Sequence, residues 1–179
     1  MLGGDFFVII KYRRNLAVTY AERWWNSPNP QFRYFDDDDC TNFISQVLWA
    51  GGAPMKATGK RDSGWWYFGN GGAGDTWSIS WATPHGLYWY LKTSDSYLTA
   101  KEVSDVYSLE IGDVIFYDFQ SNGRWDHSTV VTAKLPNGEP LVNAHTDYAR
   151  LRNWTYQDSM AYTENIRYAF FKISNEFIT

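Results

Sequence analysis

The sequence predicts a single α+β domain, spanning residues 1–179, in which N-terminal helices pack on an antiparallel β-sheet. Two observations predict this class. Segments with apolar residues at helical spacing all lie before about residue 93, and short runs rich in β-branched and aromatic residues all lie after about residue 110. With 44% hydrophobic and 20% charged residues, the composition excludes a disordered, collagen-like or coiled-coil chain.

The first two predicted helices are separated by a turn-rich segment. Asn15 is expected to cap the first helix, which runs through LAVTYAERWW and is ended by NSPNPQ at residues 26–31. An acidic run at residues 36–39 precedes the second helix, and Asp39 is expected to cap it. This helix contains CTNFISQVLWA and is ended by two glycines at residues 51–52.

A third helix and four strands follow. Residues 53–80 lack a clear period and are predicted to form a long loop. Thr83 and Pro84 then begin a helix through PHGLYWYLKT, since threonine favours the cap and proline the first helical position. The predicted strands, punctuated by the turns SNGRWD and LPNG, comprise residues 113–119, 127–133, 140–146 and 166–173.

Charge and hydropathy argue against two kinds of partner. The net charge is -4 and there is no Lys/Arg-rich run, so we expect no binding to nucleic acid. No segment approaches the roughly 20 apolar residues that span a bilayer, so we expect no membrane span. The run FFVII at residues 6–10 is shorter than the apolar core of a signal peptide, which is about 7–15 residues long. We therefore expect no signal peptide in this chain.

Cys40 is the one cysteine in the sequence, which excludes an intrachain disulfide and a multi-cysteine metal cage. It lies in the first turn of the second predicted helix. A helix N-terminus lowers the pKa of a thiol, and its free N–H groups can face an oxyanion. These features favour a nucleophilic cysteine. The alternative is a buried cysteine that acts as a small apolar residue of the core.

Three histidines are candidate acid-base partners of Cys40. His127 begins a predicted strand, and His145 ends the next strand with Asn143 two positions before it on the same face. Because the LPNG turn joins these strands as a hairpin, we expect His127 and His145 to be neighbours, as a base and the group that orients it. The alternative is that each is a strand-end residue exposed to water. His85 is expected to face solvent or to cap the third helix.

The acidic residues do not predict a metal site. The run at residues 36–39 lacks the alternating ligands and central glycine of an EF-hand calcium loop. Beside Cys40 these charges would oppose thiolate formation, so His127 has to supply the compensating charge. A zinc site built from His127, His145 and Asp147 is the chemical rival, but the sequence has no H-E-x-x-H motif and this site leaves Cys40 unused. We therefore expect neither a metal nor another cofactor.

The chain resembles a known family over about residues 12–172. The most specific block is DCTNFISQ at residues 39–46, preceded by YRRNLAVTYAERWWNSPNPQFRYFDDD and accompanied by SWATPHGLYWYL, LEIGDVIFYDF, WDHSTVVTA and NAHTD. These stretches resemble the putative amidase domain of bacterial cell-wall and secreted proteins, a branch of the NlpC/P60 and CHAP papain-like cysteine hydrolases. The acidic approach to Cys40 departs from the family, in which a glycine is more usual there.

The resemblance implies a papain-like fold of the NlpC/P60 type and a hydrolase that acts on peptide or muramoyl-peptide amide bonds of peptidoglycan. It implies that Cys40 is the nucleophile and forms a thioester, and that His127 is the general base. The third residue of the triad would be His145, with Asn143 as the alternative. It also implies an extracellular or cell-wall location. We expect a monomer.

The ten tryptophans are more than a core of this size can easily enclose, so some should line a groove or the surface. Aromatic faces pack against sugar rings, and we expect Trp65, Trp66 and Trp125 to contact the substrate. Core packing alone would explain at least half of the tryptophans. The rival function is a non-catalytic cell-wall or carbohydrate binding module with a Trp-rich surface.

Overall fold

A six-stranded antiparallel sheet with helices packed on one face positions the site. The computed structural model describes residues 7–179. The helices are α1 (Arg14–Trp24), α2 (Cys40–Ala50), α3 (Ile79–Ala82) and α4 (Pro84–Thr93), with a 3-10 turn at Val106–Ser108. The strands are β1 (Ile9–Lys11), β2 (Lys56–Ala57), β3 (Gly64–Trp65), β4 (Tyr67–Phe68), β5 (Thr76–Trp77), β6 (Ala100–Val103), β7 (Val114–Asp118), β8 (His127–Lys134), β9 (Pro140–Ala144), β10 (Ala149–Asn153), β11 (Arg167–Ile173) and β12 (Glu176–Ile178).

The three predicted helices are confirmed as α1, α2 and α4, with two corrections at their starts. Helix α1 begins at Arg14 without a side-chain cap, so the expectation that Asn15 caps it is wrong, because Asn15 already lies in the first turn. Asp39 does occupy the cap position of α2, but its side chain bonds elsewhere. Thr83 caps α4 as predicted, since its hydroxyl oxygen accepts from the N–H of Gly86. No helix within residues 7–179 combines the length and apolar character needed to cross a membrane.

The segment predicted as a long loop, residues 53–80, contains short regular elements. Strands β2 and β3 form one small antiparallel pair, β4 and β5 form another, and α3 begins at Ile79. Strands of two residues are too short to show a period in the sequence. The segment is anchored to α2 by Trp65, whose Nε1 donates to Ser45 Oγ at 3.0 Å.

The main sheet has the strand order β10-β9-β8-β7-β11-β6, and all of its pairings are antiparallel. The four predicted strands are confirmed as β7, β8, β9 and β11. The two edge strands, β6 and β10, were not predicted. Their sequences, AKEV and ARLRN, are rich in charge, as is common at a sheet edge, and so lack the apolar pattern of the central strands.

The two faces of the main sheet have different partners. Helix α2 packs on one face, where Phe43 and Val130 belong to the same core. The opposite face carries a second apolar cluster, made of Val106, Leu109, Ile115, Tyr117, Phe119, Val131, Val142 and Tyr156. Because side chains alternate along a strand, consecutive residues of β8 serve different faces. Ser128 therefore faces α2, and His127 faces the second cluster.

Candidate functional site

Buried polar side chains fix the start of α2 against the rest of the molecule. Thr41 Oγ1 is hydrogen bonded to Ser128 Oγ at the start of β8, at 2.9 Å. Asn42 Oδ1 accepts from Trp81 Nε1 in α3, at 2.8 Å. The polar residues of the DCTNFISQ block thus have structural partners, and together they set the position of Cys40.

Cys40 is the first residue of α2 and is 1% exposed. Burial raises the pKa of the Cys40 thiol to about 11, hydrogen bonds from Thr41 and Ser128 oppose this rise, and the charge of Asp38 adds to it. The expectation that this pKa is lowered is therefore wrong, because the effect of burial is larger than that of the opposing hydrogen bonds. At neutral pH Cys40 is a thiol.

His127 is the first residue of β8 and is buried against the second cluster. Its Nε2 atom lies 3.1 Å from the hydroxyl oxygen of Tyr156. Burial lowers the pKa of His127 to about 3, and the positive charge of Arg152 contributes to the decrease. The imidazole is neutral at pH 7, so one of its nitrogens can accept a proton. The next residue, Ser128, is linked to the sulfur of Cys40 through Thr41. The Thr41 hydroxyl lies 3.7 Å from Cys40 Sγ and is hydrogen bonded to Ser128 Oγ at 2.9 Å, which places the thiol near the start of β8.

His145 has both ring nitrogens engaged on the α2 side of the sheet. Its Nδ1 atom lies 2.6 Å from Asp39 Oδ2, and its Nε2 atom lies 2.6 Å from the carbonyl oxygen of Trp24. The ring also stacks on Phe43, with a centroid distance of 4.0 Å. A carbonyl oxygen can only accept, so Nε2 carries a hydrogen, and Nδ1 shares one with the carboxylate. No ring nitrogen is left to bond His127.

The predicted hairpin of β8 and β9 forms, but it does not bring the two histidine side chains together. A β-bulge at residues 131–133 shifts the pairing by one residue, so that Val130 pairs with Asn143. The bulge leaves His145 and Asn143 on the α2 face and His127 on the opposite face. The expectation that His127 and His145 are side-chain neighbours is therefore wrong.

Asn143, the alternative third residue, is also engaged away from His127. Its Nδ2 donates to Glu22 Oε1 at 2.8 Å, and its Oδ1 accepts from Thr132 Oγ1 at 2.9 Å. Neither His145 nor Asn143 is thus placed to orient the imidazole of His127 in this structure.

The same separation argues against the zinc alternative. Zinc ligands must converge on one point, whereas His127 and His145 lie on opposite faces of the sheet. Asp147 lies elsewhere, with Asp36 and Asp37, around a surface pocket. Among residues 7–179, no three or more His, Cys, Asp or Glu side chains are grouped in a way that could hold a metal ion.

A groove of about 840 Å³ lies next to the residues that precede Cys40 and His127. Asp38 lines it two positions before Cys40, and Trp125 and Asp126 line it directly before His127. The groove thus adjoins the residues that precede the thiol and the imidazole, whereas Cys40 and His127 themselves are not among its lining residues.

Helix α4 supplies an aromatic wall of the groove. Trp89 is 51% exposed, and its Nε1 donates to His85 Nε2 at 3.1 Å. His85 is thus a half-buried residue of the groove, whereas Thr83 serves as the cap of the helix. The i, i+4 spacing of His85 and Trp89 on one helix face was a signal in the sequence that the prediction did not use.

Two of the three tryptophans expected to contact a substrate are structural. Trp65 is fully buried, and Trp66 is 3% exposed, with its Nε1 donating to the carbonyl oxygen of Ser63 at 3.0 Å. Neither ring is accessible to a ligand, because the 53–80 segment folds back on α2 and α3. Trp125 is also largely buried, but it does line the groove.

Tyr156 and Arg152 are further residues of the site that are not predicted from the sequence. Arg152 lies in the edge strand β10, which was not predicted, and Tyr156 comes three residues after the end of that strand. Neither residue belongs to a motif or a periodic pattern. No signal in the sequence would have identified them.

Comparison with known proteins now identifies the family. The family model described as putative amidase domain matches residues 11–171. The chain belongs to this family. The description indicates an amide hydrolase, and the match includes Cys40, His127 and the residues that line the groove.

Relatives of this amidase domain occur in Bacillus subtilis (strain 168). The uncharacterized protein YhbB is 48% identical over 166 residues, which are 93% of this chain and 51% of YhbB. The uncharacterized protein YjcM is 33% identical over 143 residues, which are 75% of this chain and 31% of YjcM. The chain thus spans about half the length of YhbB and about a third of that of YjcM. No solved structure matches the chain.

Proposed function

We propose that this amidase domain is a cysteine-dependent amide hydrolase, with Cys40 as the nucleophile and His127 as the general base. The position of the sulfur carries the proposal. Cys40 begins α2, and its sulfur lies 3.7 Å from Thr41 Oγ1, which is hydrogen bonded to Ser128, the residue that follows His127. Although His127 faces the side of the sheet opposite α2, the charge of Cys40 acts on Tyr156, the hydrogen-bond partner of His127. A thiol at a helix N-terminus within reach of a neutral imidazole is suited to acyl transfer. Family membership supports an amide bond as the target.

The first step joins proton transfer to attack. Because burial keeps Cys40 and His127 neutral, the thiol proton passes to the imidazole as the sulfur attacks the carbonyl carbon, and no thiolate accumulates beforehand. The negative charge on the former carbonyl oxygen is stabilised by N–H groups of the first turn of α2, which have no carbonyl partner within the helix.

The following steps return the protein to its starting state. The imidazolium of His127 gives its proton to the amide nitrogen, the C–N bond breaks and the amine leaves. The acyl group remains bound to Cys40 as a thioester. His127 then accepts a proton from water, and the hydroxide oxygen attacks the thioester. The carboxylic acid leaves, and the sulfur regains a proton from the imidazolium.

The volume of the groove, about 840 Å³, suits a substrate larger than a single amino acid. The groove combines the aromatic surface of Trp89 and Trp125 with the carboxylates of Asp38 and Asp126. Aromatic faces pack against sugar rings, and carboxylates bind amino and hydroxyl groups. We therefore propose that the substrate is a peptide or muramoyl-peptide bond of peptidoglycan, cleaved by a papain-like domain of the NlpC/P60 type. An extracellular or cell-wall location follows from that substrate.

Purified peptidoglycan and defined muropeptides test this proposal. The wild type should release amino groups and lower the turbidity of a wall suspension. Cys40→Ala should abolish both effects, and His127→Gln should slow them at least about 100-fold, the size of a general-base contribution. Circular dichroism and thermal unfolding check that each variant is folded. Undiminished hydrolysis by Cys40→Ala would overturn the mechanism.

A non-catalytic module that binds cell wall or carbohydrate is the second candidate. The burial of Cys40 and the exposed rings of Trp49 and Trp89 favour it. In that case the wild type would show no turnover on any fragment. Wild type and Cys40→Ala would then sediment equally with peptidoglycan, whereas Trp89→Ala would sediment less.

A further inference from the structure

We propose that Tyr156 is the positioning residue of this site, the group that orients the imidazole of His127. The inference rests on the proposed function, in which His127 is the base. It follows from the hydrogen bond of 3.1 Å between the Tyr156 hydroxyl and His127 Nε2. The two residues expected in this role, His145 and Asn143, are engaged on the opposite face of the sheet.

The surroundings of Tyr156 restrict the imidazole to one orientation. Tyr156 is 2% exposed, and its ring centroid lies 5.2 Å from that of His127. The ring of Tyr117 packs against Tyr156 at 4.8 Å, while the hydroxyl of Tyr117 donates to the carbonyl oxygen of Trp154 at 2.9 Å. Tyr117 therefore supplies packing, and the Tyr156 hydroxyl supplies the polar contact.

Arg152 of β10 and the segment after that strand hold Tyr156 in turn. The guanidinium carbon of Arg152 lies 4.1 Å from the centroid of the Tyr156 ring, and Arg152 Nε donates to both carboxylate oxygens of Asp158, at 2.9 and 3.1 Å. The backbone of Tyr156 has a φ of 57°, in the left-handed region. A residue other than glycine keeps that conformation only where surrounding contacts compensate for it. These contacts give Tyr156 the fixed position that a positioning residue needs.

The direction of the hydrogen bond decides whether His127 can act as a base. When Nε2–H donates to the Tyr156 oxygen, Nδ1 keeps its lone pair and can accept the thiol proton. In the opposite direction, Nδ1 carries the hydrogen and cannot accept one. The proposal therefore commits to the Nε2–H tautomer. Burial raises the pKa of the Tyr156 hydroxyl, and a negative charge on Cys40 raises it further. The thiol is therefore close enough to interact with this hydroxyl.

The substitution Tyr156→Phe removes the acceptor and keeps the ring. We expect the ¹⁵N NMR signals of His127 to change from the Nε2–H tautomer alone to a mixture of both tautomers. With a muropeptide substrate, kcat should fall about tenfold or more while KM changes less than about twofold, because the hydroxyl sets the tautomer and does not bind the substrate. Tyr168→Phe is the matched control. The Tyr168 hydroxyl donates to the carbonyl oxygen of Thr155, at 2.8 Å, so its loss should leave the tautomer and kcat unchanged.

Two results would overturn the proposal: an Nδ1–H tautomer in the wild type, or a wild-type tautomer together with wild-type kcat in Tyr156→Phe. If that variant fails to fold, Arg152→Met provides the second test. Loss of the guanidinium should loosen the Tyr156 ring and also give mixed tautomers of His127. An unchanged single tautomer in Arg152→Met would count against the proposal. The NMR measurement needs no turnover. A wild type without amidase activity would therefore refute the proposed function, while the tautomer would still decide whether Tyr156 orients His127.

Discussion

The Nδ1 atom of His145 lies 2.6 Å from Oδ2 of Asp39, and both side chains are buried. The other carboxylate oxygen of Asp39 accepts from the Phe35 N–H at 3.0 Å and from Asn42 Nδ2 at 2.8 Å. Asp39 immediately precedes Cys40. This pair therefore anchors the start of α2, and with it the thiol, to the end of β9.

Asp39→Ala should destabilise the protein by about 3 kcal/mol, because the buried groups His145 Nδ1 and Asn42 Nδ2 and the Phe35 N–H all lose a hydrogen-bond partner. The measurement is urea unfolding followed by tryptophan fluorescence. Arg150→Met is the control, since the Arg150–Glu22 pair at 2.7 Å is partly exposed, and its loss should cost less than about 1 kcal/mol. Equal effects of the two substitutions would contradict the anchoring role of Asp39.

Cys40 should react slowly with iodoacetamide in the folded protein. With its pKa raised to about 11, the rate at pH 7.5 should be about 100-fold below that of the unfolded chain and should rise with pH until about pH 11. Mass spectrometry of the alkylated protein, with and without urea, gives both rates. A reaction that is already at its plateau near neutral pH would show that a thiolate is present at rest.

His127 should make the folded protein sensitive to acid. Its pKa is about 3 in the folded state and 6.5 as the ordinary value, so the unfolded chain binds a proton first as the pH falls. Stability is therefore lost between about pH 6.5 and pH 3. Relative to His127→Gln, the wild type should lose about 3 kcal/mol of unfolding free energy between pH 7 and pH 4. Parallel curves for the two proteins would show that His127 is not buried in the neutral form.

Trp89 should contribute to substrate binding and not to the chemical step. Trp89→Ala is expected to raise KM for a muropeptide about fivefold with little change in kcat, because an aromatic contact contributes roughly 1 kcal/mol. Trp49→Ala is the matched control. Trp49 is also exposed, but it lies near the far end of the 11-residue helix α2, about 14 Å along the axis from Cys40. A fall in kcat alone would exclude the groove as the substrate site.

The helices and strands that could be predicted from sequence are those whose own residues carry the pattern and the end signals of that element. Helix α2 is buried on most sides and ends at two glycines, and each residue of β7 is buried. The elements that could not be predicted depend on their neighbours. Strand β10 is largely exposed and charged, and it is defined by its pairing with β9. The short strands of residues 53–80 likewise exist only as pairs.

The candidate site shows the same division. Cys40 at a helix start and His127 at a strand start are properties of local sequence. The relation between His127 and His145 depends on one extra residue in the bulge at residues 131–133, which reverses the faces. An unbroken register from the LPNG turn would have placed both histidines on one face. The contact with Tyr156 joins residues 29 positions apart and depends on the whole sheet.

The buried hydrogen bonds that position Cys40 and His127 also determine at which stage of folding activity could appear. The thiol is held by β8 and, through Asp39, by the end of β9, and the imidazole is held by the segment beyond β10. A chain that has formed its helices but has not completed its sheet would carry the same residues without their relative orientation. Under the proposed function, a nascent or partly unfolded chain would be unable to cleave amides, and hydrolysis would be confined to the fully folded domain.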